Sequence, residues 1–246
     1  AIDITKASYA DDNLNVTFVK GTDVTFEIEK KAVTITINGS SDSKVYNGSA
    51  QTSETTVTPS STDSLFDASK FSYTGATTIT ETNVGNYSEA IDITKASYAD
   101  DNLNVTFVKG TDVTFEIEKK AVTITINGSS DSKVYNGSAQ TSETTVTPSS
   151  TDSLFDASKF SYTGATTITE TNVGNYSEAI DITKASYDDA NLDVTFVAGT
   201  HVTFAITKKA VTITINGSSD TQTYTGSPLT SDTTVTPSST DSLFDA

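Results

Sequence analysis

Residues 32–37 read Ala-Val-Thr-Ile-Thr-Ile. Apolar and hydroxyl side chains alternate there, which is the period of a strand with one face inward and one outward. Asn38-Gly39 follows as a turn signal. Lys44-Val45-Tyr46 predicts a short strand ending at Asn47-Gly48, and residues 55–58 predict a third, stopped by Pro59. Residues 60–70 read as loop. Within that loop, residues 61–68 suit one helical turn opened by Ser61 or Thr62, whose hydroxyls can cap free N–H groups. Residues 71–73 and 77–80 predict further strands around Gly75. Val84-Gly85-Asn86-Tyr87 then leads into residues 91–93, and the alternation returns at 103–107 and 113–118.

The pattern repeats. Residues 1–89 and 90–178 are identical letter for letter, and a close variant begins at Ala179 and stops 21 residues short of the 89-residue period. The third copy changes Asp23 to His201, Glu27 to Ala205, Glu29 to Thr207, Lys20 to Ala198 and Asn15 to Asp193. It keeps Leu14, Val16, Phe18, Val24, Phe26 and Ile28 as Leu192, Val194, Phe196, Val202, Phe204 and Ile206. The retained apolar positions mostly alternate with the changed polar ones, so the copies separate an inner face from an outer one. Lys30-Lys31 divides two strong strand patterns. This frames complete units at 31–119 and 120–208, with 1–30 as the back end of one unit and 209–246 as the front end of another. No Gly-, Pro- or Ser-rich linker stands at Lys119-Lys120, which predicts semi-rigid junctions.

Composition narrows the class. Hydrophobic residues make up 35% of the 246, enough for several thin cores but not one thick one. Cysteine is absent, which removes disulfides, thiol nucleophiles and cysteine zinc sites. The net charge of −17 repels nucleic acid and anionic membranes, so neither is expected as a partner. No stretch approaches the roughly 20 apolar residues of a membrane helix. No signal peptide or sorting signal is present, so the chain reads as an internal window of something longer.

Several segments carry a family resemblance. They are Lys31-Ala-Val-Thr-Ile, Val45-Tyr46-Asn47-Gly48, Asn83-Val84-Gly85-Asn86-Tyr87, Asn102-Leu103-Asn104-Val105-Thr106-Phe107, Gly110, and Val113-Thr-Phe-Glu-Ile-Glu-Lys119. In this order they resemble the MBG-type repeat domain of large bacterial cell-surface proteins, which is similar to modules of mucus-binding proteins. The resemblance spans the whole period. Asn47 departs from it by standing between Tyr46 and Gly48, and the third copy has Tyr224-Thr225-Gly226. The resemblance implies a mainly β protein of tandem small β-sandwich domains, immunoglobulin-like or β-grasp-like, in an elongated rod. It also implies an extracellular place on the bacterial surface or cell wall, with adhesion or stalk duty and no enzymatic activity.

Candidate chemistry is sparse. His201 is the sole histidine and replaces Asp23 and Asp112 of the other copies, so the repeat does not need it as a base. Asp11, Asp12, Asp100, Asp101, Asp188 and Asp189 form acidic loops that could offer oxygens to calcium, the one cofactor considered. They lack EF-hand spacing, and a solvated loop with an Asx turn explains them better. Lys31 or Lys44 with a later Asn would be the pair for an intramolecular isopeptide bond. Thr34-Ile-Thr36 and Thr78-Ile-Thr80 fit ordinary strand faces better than an ice-binding ladder. Without Trp, sugar stacking falls to tyrosines such as Tyr9, Tyr46, Tyr73 and Tyr87, whose apolar neighbours suit core or rim positions.

The expected role is a stalk whose partners are neighbouring repeats. That role expects the first strand of a unit, residues 32–37, beside its last, residues 113–118, so that tension shears their hydrogen bonds together. The alternatives are a repeated weak binding module for host mucin, glycan or protein, and a fibre subunit self-associating through exposed strand edges.

Overall fold

The structure, a computed structural model, describes residues 1–245. It is mainly β, with 41% strand, 6% helix, small sheets and no barrel. The chain divides into two compact units. One comprises Ala1–Lys44 and Ala50–Ile117, and the other comprises Val45–Ser49 with the chain from Glu118 onward.

In the first unit the strands are β1 (Lys31–Gly39), β2 (Ser41–Val45), β3 (Gln51–Thr52), β4 (Val57–Ser60), β5 (Phe71–Tyr73), β6 (Thr80–Glu81), β7 (Gly85–Glu89), β8 (Ala96–Tyr98), β9 (Leu103–Lys109) and β10 (Val113–Glu118). Two three-stranded sheets have the orders β4-β1-β9 and β2-β10-β7, and β3-β6 and β5-β8 form short pairs. β1 runs parallel to β9 with Lys31 opposite Leu103 and Ile37 opposite Lys109. Residues 32–37 therefore pair with β9, while β10 pairs with β2. The expected pairing of first and last strands is thus not formed, because the two strands split between different sheets.

The split occurs at Asn38-Gly39. These residues do not reverse the chain. They pass it from one sheet to the other with only Ser40 between β1 and β2. A Cβ on Gly39 would stand 2.4 Å from the Val113 nitrogen, so only glycine lets the two backbones approach there. Asn38 holds the crossing in place. Its Nδ2 donates to Ser60 Oγ at 3.1 Å, and its Oδ1 accepts the Thr111 N–H at 3.4 Å. Pro59 lies inside β4, opposite Ile37, rather than ending the strand. β4 is a sheet edge, where a missing N–H is tolerated. The helical turn also moves. It is a 3-10 turn at Ala68–Lys70, because the Asp67 carboxylate accepts the Ser69 N–H. Ser61 and Asp63 instead accept N–H groups from Asp63 and Leu65 in tight turns.

The inner face of the alternation becomes the core. Val33, Ile35 and Leu103 form one buried cluster, with Phe66, Tyr98, Val105 and Phe107 packed on it. Ile37, Ile91 and Val113 form another. Phe115 and Ile117 are also fully covered. Each such side chain contributes roughly 1.5–3 kcal/mol on leaving water. Ser53 and Thr55 are buried as well. They bond each other at 2.7 Å, Ser53 Oγ accepts the Ile79 N–H, and Thr55 donates to the Thr77 carbonyl. That pairing meets the cost of burying two hydroxyls.

The second unit repeats this plan with β11 (Lys120–Gly128), β12 (Ser130–Val134), β13 (Gln140–Thr141), β14 (Val146–Ser149), β15 (Phe160–Tyr162), β16 (Thr169–Glu170), β17 (Gly174–Glu178), β18 (Ala185–Tyr187), β19 (Leu192–Ala198) and β20 (Val202–Thr207). β11 and β19 are parallel with Lys120 opposite Leu192, and β12 and β20 are parallel with Ser130 opposite Thr203. Tyr46 packs on its cluster of Val122, Ile124 and Leu192, beside Leu154 and Phe155. Gly48 has φ +82, and the Leu154 Cδ2 would lie 2.8 Å from a Cβ there, which confirms Asn47-Gly48 as a tight turn. Farther on, β21 (Thr214–Gly217) pairs antiparallel with β22 (Val235–Ser238) in the register of β1 and β4.

Residues 1–30 form no strand. They hold one 3-10 turn, Ile4–Lys6, capped by Asp3. Asp23 accepts the Ile2 N–H at 2.9 Å and pairs with Lys20 at 2.8 Å.

Candidate functional site

The outward positions of β2, β7 and β10 are Ser41 and Ser43, Asn86 and Ser88, and Thr114 and Glu116. They follow from the same alternation that sends Phe115 inward. Together they line an open cleft of about 630 Å³. Thr114 Oγ1 donates to Ser41 Oγ at 2.9 Å across the cleft floor. Asp42 braces one side by accepting the Glu54 N–H at 2.8 Å. Tyr87 lies in the lining, but its hydroxyl is committed to the Asn83 carbonyl at 2.8 Å.

An equivalent cleft, also about 630 Å³, lies on β12, β17 and β20 of the second unit. Thr203 and Ser130 repeat the hydroxyl contact at 2.9 Å. Ala205 replaces Glu116, which removes the one ionisable side chain on the outer face. His201 stands near this cleft, with Nδ1 3.2 Å from Ser177 Oγ. Among the described residues no carboxylate forms an ion pair with it. These faces present hydroxyls and amides suited to hydrogen bonding a hydroxyl-rich ligand. They had no motif in the sequence. Their only signal was the polar half of each alternating strand, and which strands become neighbours is not written locally.

The acidic loops resolve into turns and ion pairs. Asp100 accepts the Asn102 N–H at 2.9 Å and pairs with Lys70 at 2.7 Å. The hydrogen bond from Lys70, helped by the Asn102 N–H, holds the Asp100 carboxyl below its ordinary value, and the same bond raises Lys70. Asp189 repeats this with Lys159 at 2.7 Å and the Asn191 N–H at 2.9 Å. Asp11 keeps only the turn, accepting the Asn13 N–H at 3.0 Å. Asp12, Asp101 and Asp188 are not drawn into these pairs. No group of three or more His, Cys, Asp or Glu among the described residues is placed to hold a metal ion.

The lysines proposed for a cross-link meet acids rather than Asn. Lys31 pairs with Asp63 at 2.7 Å, and Lys44 pairs with Glu54 at 3.3 Å while donating to the Thr52 carbonyl at 2.8 Å. The tyrosines are structural at the rim. Tyr98 Oη accepts the Asp67 N–H at 2.8 Å, and Tyr73 Oη accepts the Asp92 N–H at 3.1 Å. Tyr9 is exposed.

Compared with known proteins, the chain matches no family model, no curated protein and no solved structure.

Proposed function

We propose that these repeats are structural spacers in the stalk of an extracellular bacterial surface adhesin, built as tandem small β-sandwich domains, and not a catalyst. One observation carries the reading. Within a repeat, the chain enters on β1 and leaves on β10, which do not pair with each other; β1 runs parallel to β9, and in the second unit β12 runs parallel to β20. In a parallel pair the start of the first strand and the end of the last lie at opposite ends. A pull on Lys31 and Glu118 therefore slides β1-β2 against β9-β10. The hydrogen bonds are loaded together in shear rather than opened one by one.

The clefts support the spacer reading over a dedicated ligand site. They are open, the hydroxyls of Tyr87 and Tyr176 in their lining are committed to the Asn83 and Asn172 carbonyls, and the outward carboxylate of Glu116 is lost at Ala205. Single-molecule stretching of the chain tests the proposal. It should give two high-force events, each releasing on the order of 300 Å of extended chain. Units that lengthen smoothly, without a force peak, would rule it out.

A further inference from the structure

Each complete repeat carries the letters Asn-Gly-Ser twice. They stand at 38–40 and 47–49 in the first, and at 127–129 and 136–138 in the second. An asparagine followed by glycine can cyclise, because no side chain keeps the glycine nitrogen from the amide carbon. The reaction needs that nitrogen free. The fold treats the two kinds of site in opposite ways.

At Asn38 the reacting groups are held. The Gly39 N–H donates to the Thr111 carbonyl at 2.8 Å. The Asn38 Nδ2 donates to Ser60 Oγ at 3.1 Å, and Asn38 and Gly39 lie in the ladder opposite Thr58 and Val57. Asn127 repeats this. The Gly128 N–H donates to the Thr200 carbonyl at 2.8 Å, and the Asn127 Nδ2 donates to Ser149 Oγ at 3.2 Å. Asn47 and Asn136 are instead exposed, in turns outside the strands. Their Oδ1 atoms accept the Ser49 and Ser138 N–H groups, both at 2.9 Å. Those bonds draw electron density from Cγ and make it a better electrophile. Gly48 and Gly137 follow at φ +82 and +83, and no acceptor among the described residues holds their N–H groups.

We propose that Asn47 and Asn136 convert spontaneously to aspartate and isoaspartate, while the fold keeps Asn38 and Asn127 as amides. The Gly48 nitrogen loses its proton and bonds to the Asn47 Cγ. The Cγ–Nδ2 bond breaks, and ammonia leaves with the proton. Water then opens the five-membered imide at either of its carbonyl carbons. One opening gives aspartate. The other gives isoaspartate, whose main chain runs through Cγ and is one atom longer. Each site takes up one water and releases one ammonia, with no other reactant. Each conversion adds a negative charge to the −17 of the chain. The third copy has Thr225-Gly226 at this turn, with Gly226 at φ +81, so the turn does not depend on the amide. The inference stands apart from the spacer reading, because it concerns the ageing of turns and not resistance to load.

Ageing the 246-residue chain in mildly alkaline buffer, then cutting it with trypsin for mass spectrometry, is the test. Peptides 45–70 and 134–159 share one sequence and report Asn47 and Asn136 together. Peptides 32–44 and 121–133 likewise report Asn38 and Asn127. The first pair should gain the mass of an NH2-to-OH exchange about tenfold or more faster than the second, because Asn38 and Asn127 must wait for local opening of their strands. Isoaspartate should accompany the aspartate. In guanidinium the two pairs should convert at similar rates, since both then present the same Asn-Gly-Ser letters without the fold. Equal rates in the folded chain overturn the inference. So does a first pair that keeps its amides, a product that is aspartate alone, or a rate difference that survives unfolding.

Discussion

Residues 14–29 and residues 103–118 are the same sixteen letters in the same order. The second set forms β9 and β10 and buries Val113, Phe115 and Ile117. The first forms no strand and leaves Val24, Phe26 and Ile28 in water. Local propensity is identical, so the whole difference comes from neighbours. β1 waits beside Leu103–Lys109, and β2 and β7 flank β10. A strand here is made by its partners, as expected where strand preference is mainly a fit to a half-buried pleated surface.

The contrast can be broken by substitution. Phe115→Ala should cost about 3–5 kcal/mol in the denaturant unfolding of its unit, and Phe26→Ala should change stability by less than about 0.5 kcal/mol. Equal effects would mean that residues 1–30 are packed in solution. A smaller effect compares Gly39 with Gly217, its counterpart in the third copy. A Cβ at Gly39 meets the Val113 backbone, and one at Gly217 meets nothing within 4 Å. Gly39→Ala should cost about 1–3 kcal/mol and Gly217→Ala close to nothing in the same measurement.

The smallest expected effect is the acid response of the two units. Asp112 accepts the Ile91 N–H at 3.0 Å and pairs with Lys109 at 2.7 Å. The hydrogen bond from Lys109 comes first in holding its carboxyl below the ordinary value. A carboxyl lowered by folding adds stability that is complete above its unfolded pKa of about 3.9 and is lost as pH falls through the lower folded value. The second unit has His201 and Ala198 at these positions and lacks this contribution. Below about pH 4 the first unit should therefore weaken less in Asp112→Asn than in the wild type, as read by acid melts. Equal acid responses of the two chains would remove Asp112 as a contributor.

Much of the core was legible because alternation reports burial directly. The third copy kept Val202, Phe204 and Ile206 and changed Glu116, Glu118 and Asp112, and the kept side chains are the buried ones. The sheet exchange at Asn38-Gly39 was not legible, because the pair that makes a hairpin turn also makes a close backbone crossing. Pro59 misled for a related reason. Proline ends a central strand but not an edge, and edge status depends on residues far away. The clefts were hidden for the same cause, since Ser41, Asn86 and Thr114 are brought together only by strand order.

The joint between repeats also guards the order in which they fold. β10 ends at Glu118 and β11 begins at Lys120, so only residues 110–119 link β9 to β11. β9 carries the letters that β11 later finds in β19, apart from Asn104 and Lys109, and it leaves the ribosome first. A parallel partner, however, needs a crossover of about a dozen residues or more. Ten residues, most of them already drawn straight as β10, cannot carry the chain back. The nearest wrong partner is thus excluded by tether length alone, and each newly made first strand must wait for its own repeat to be completed.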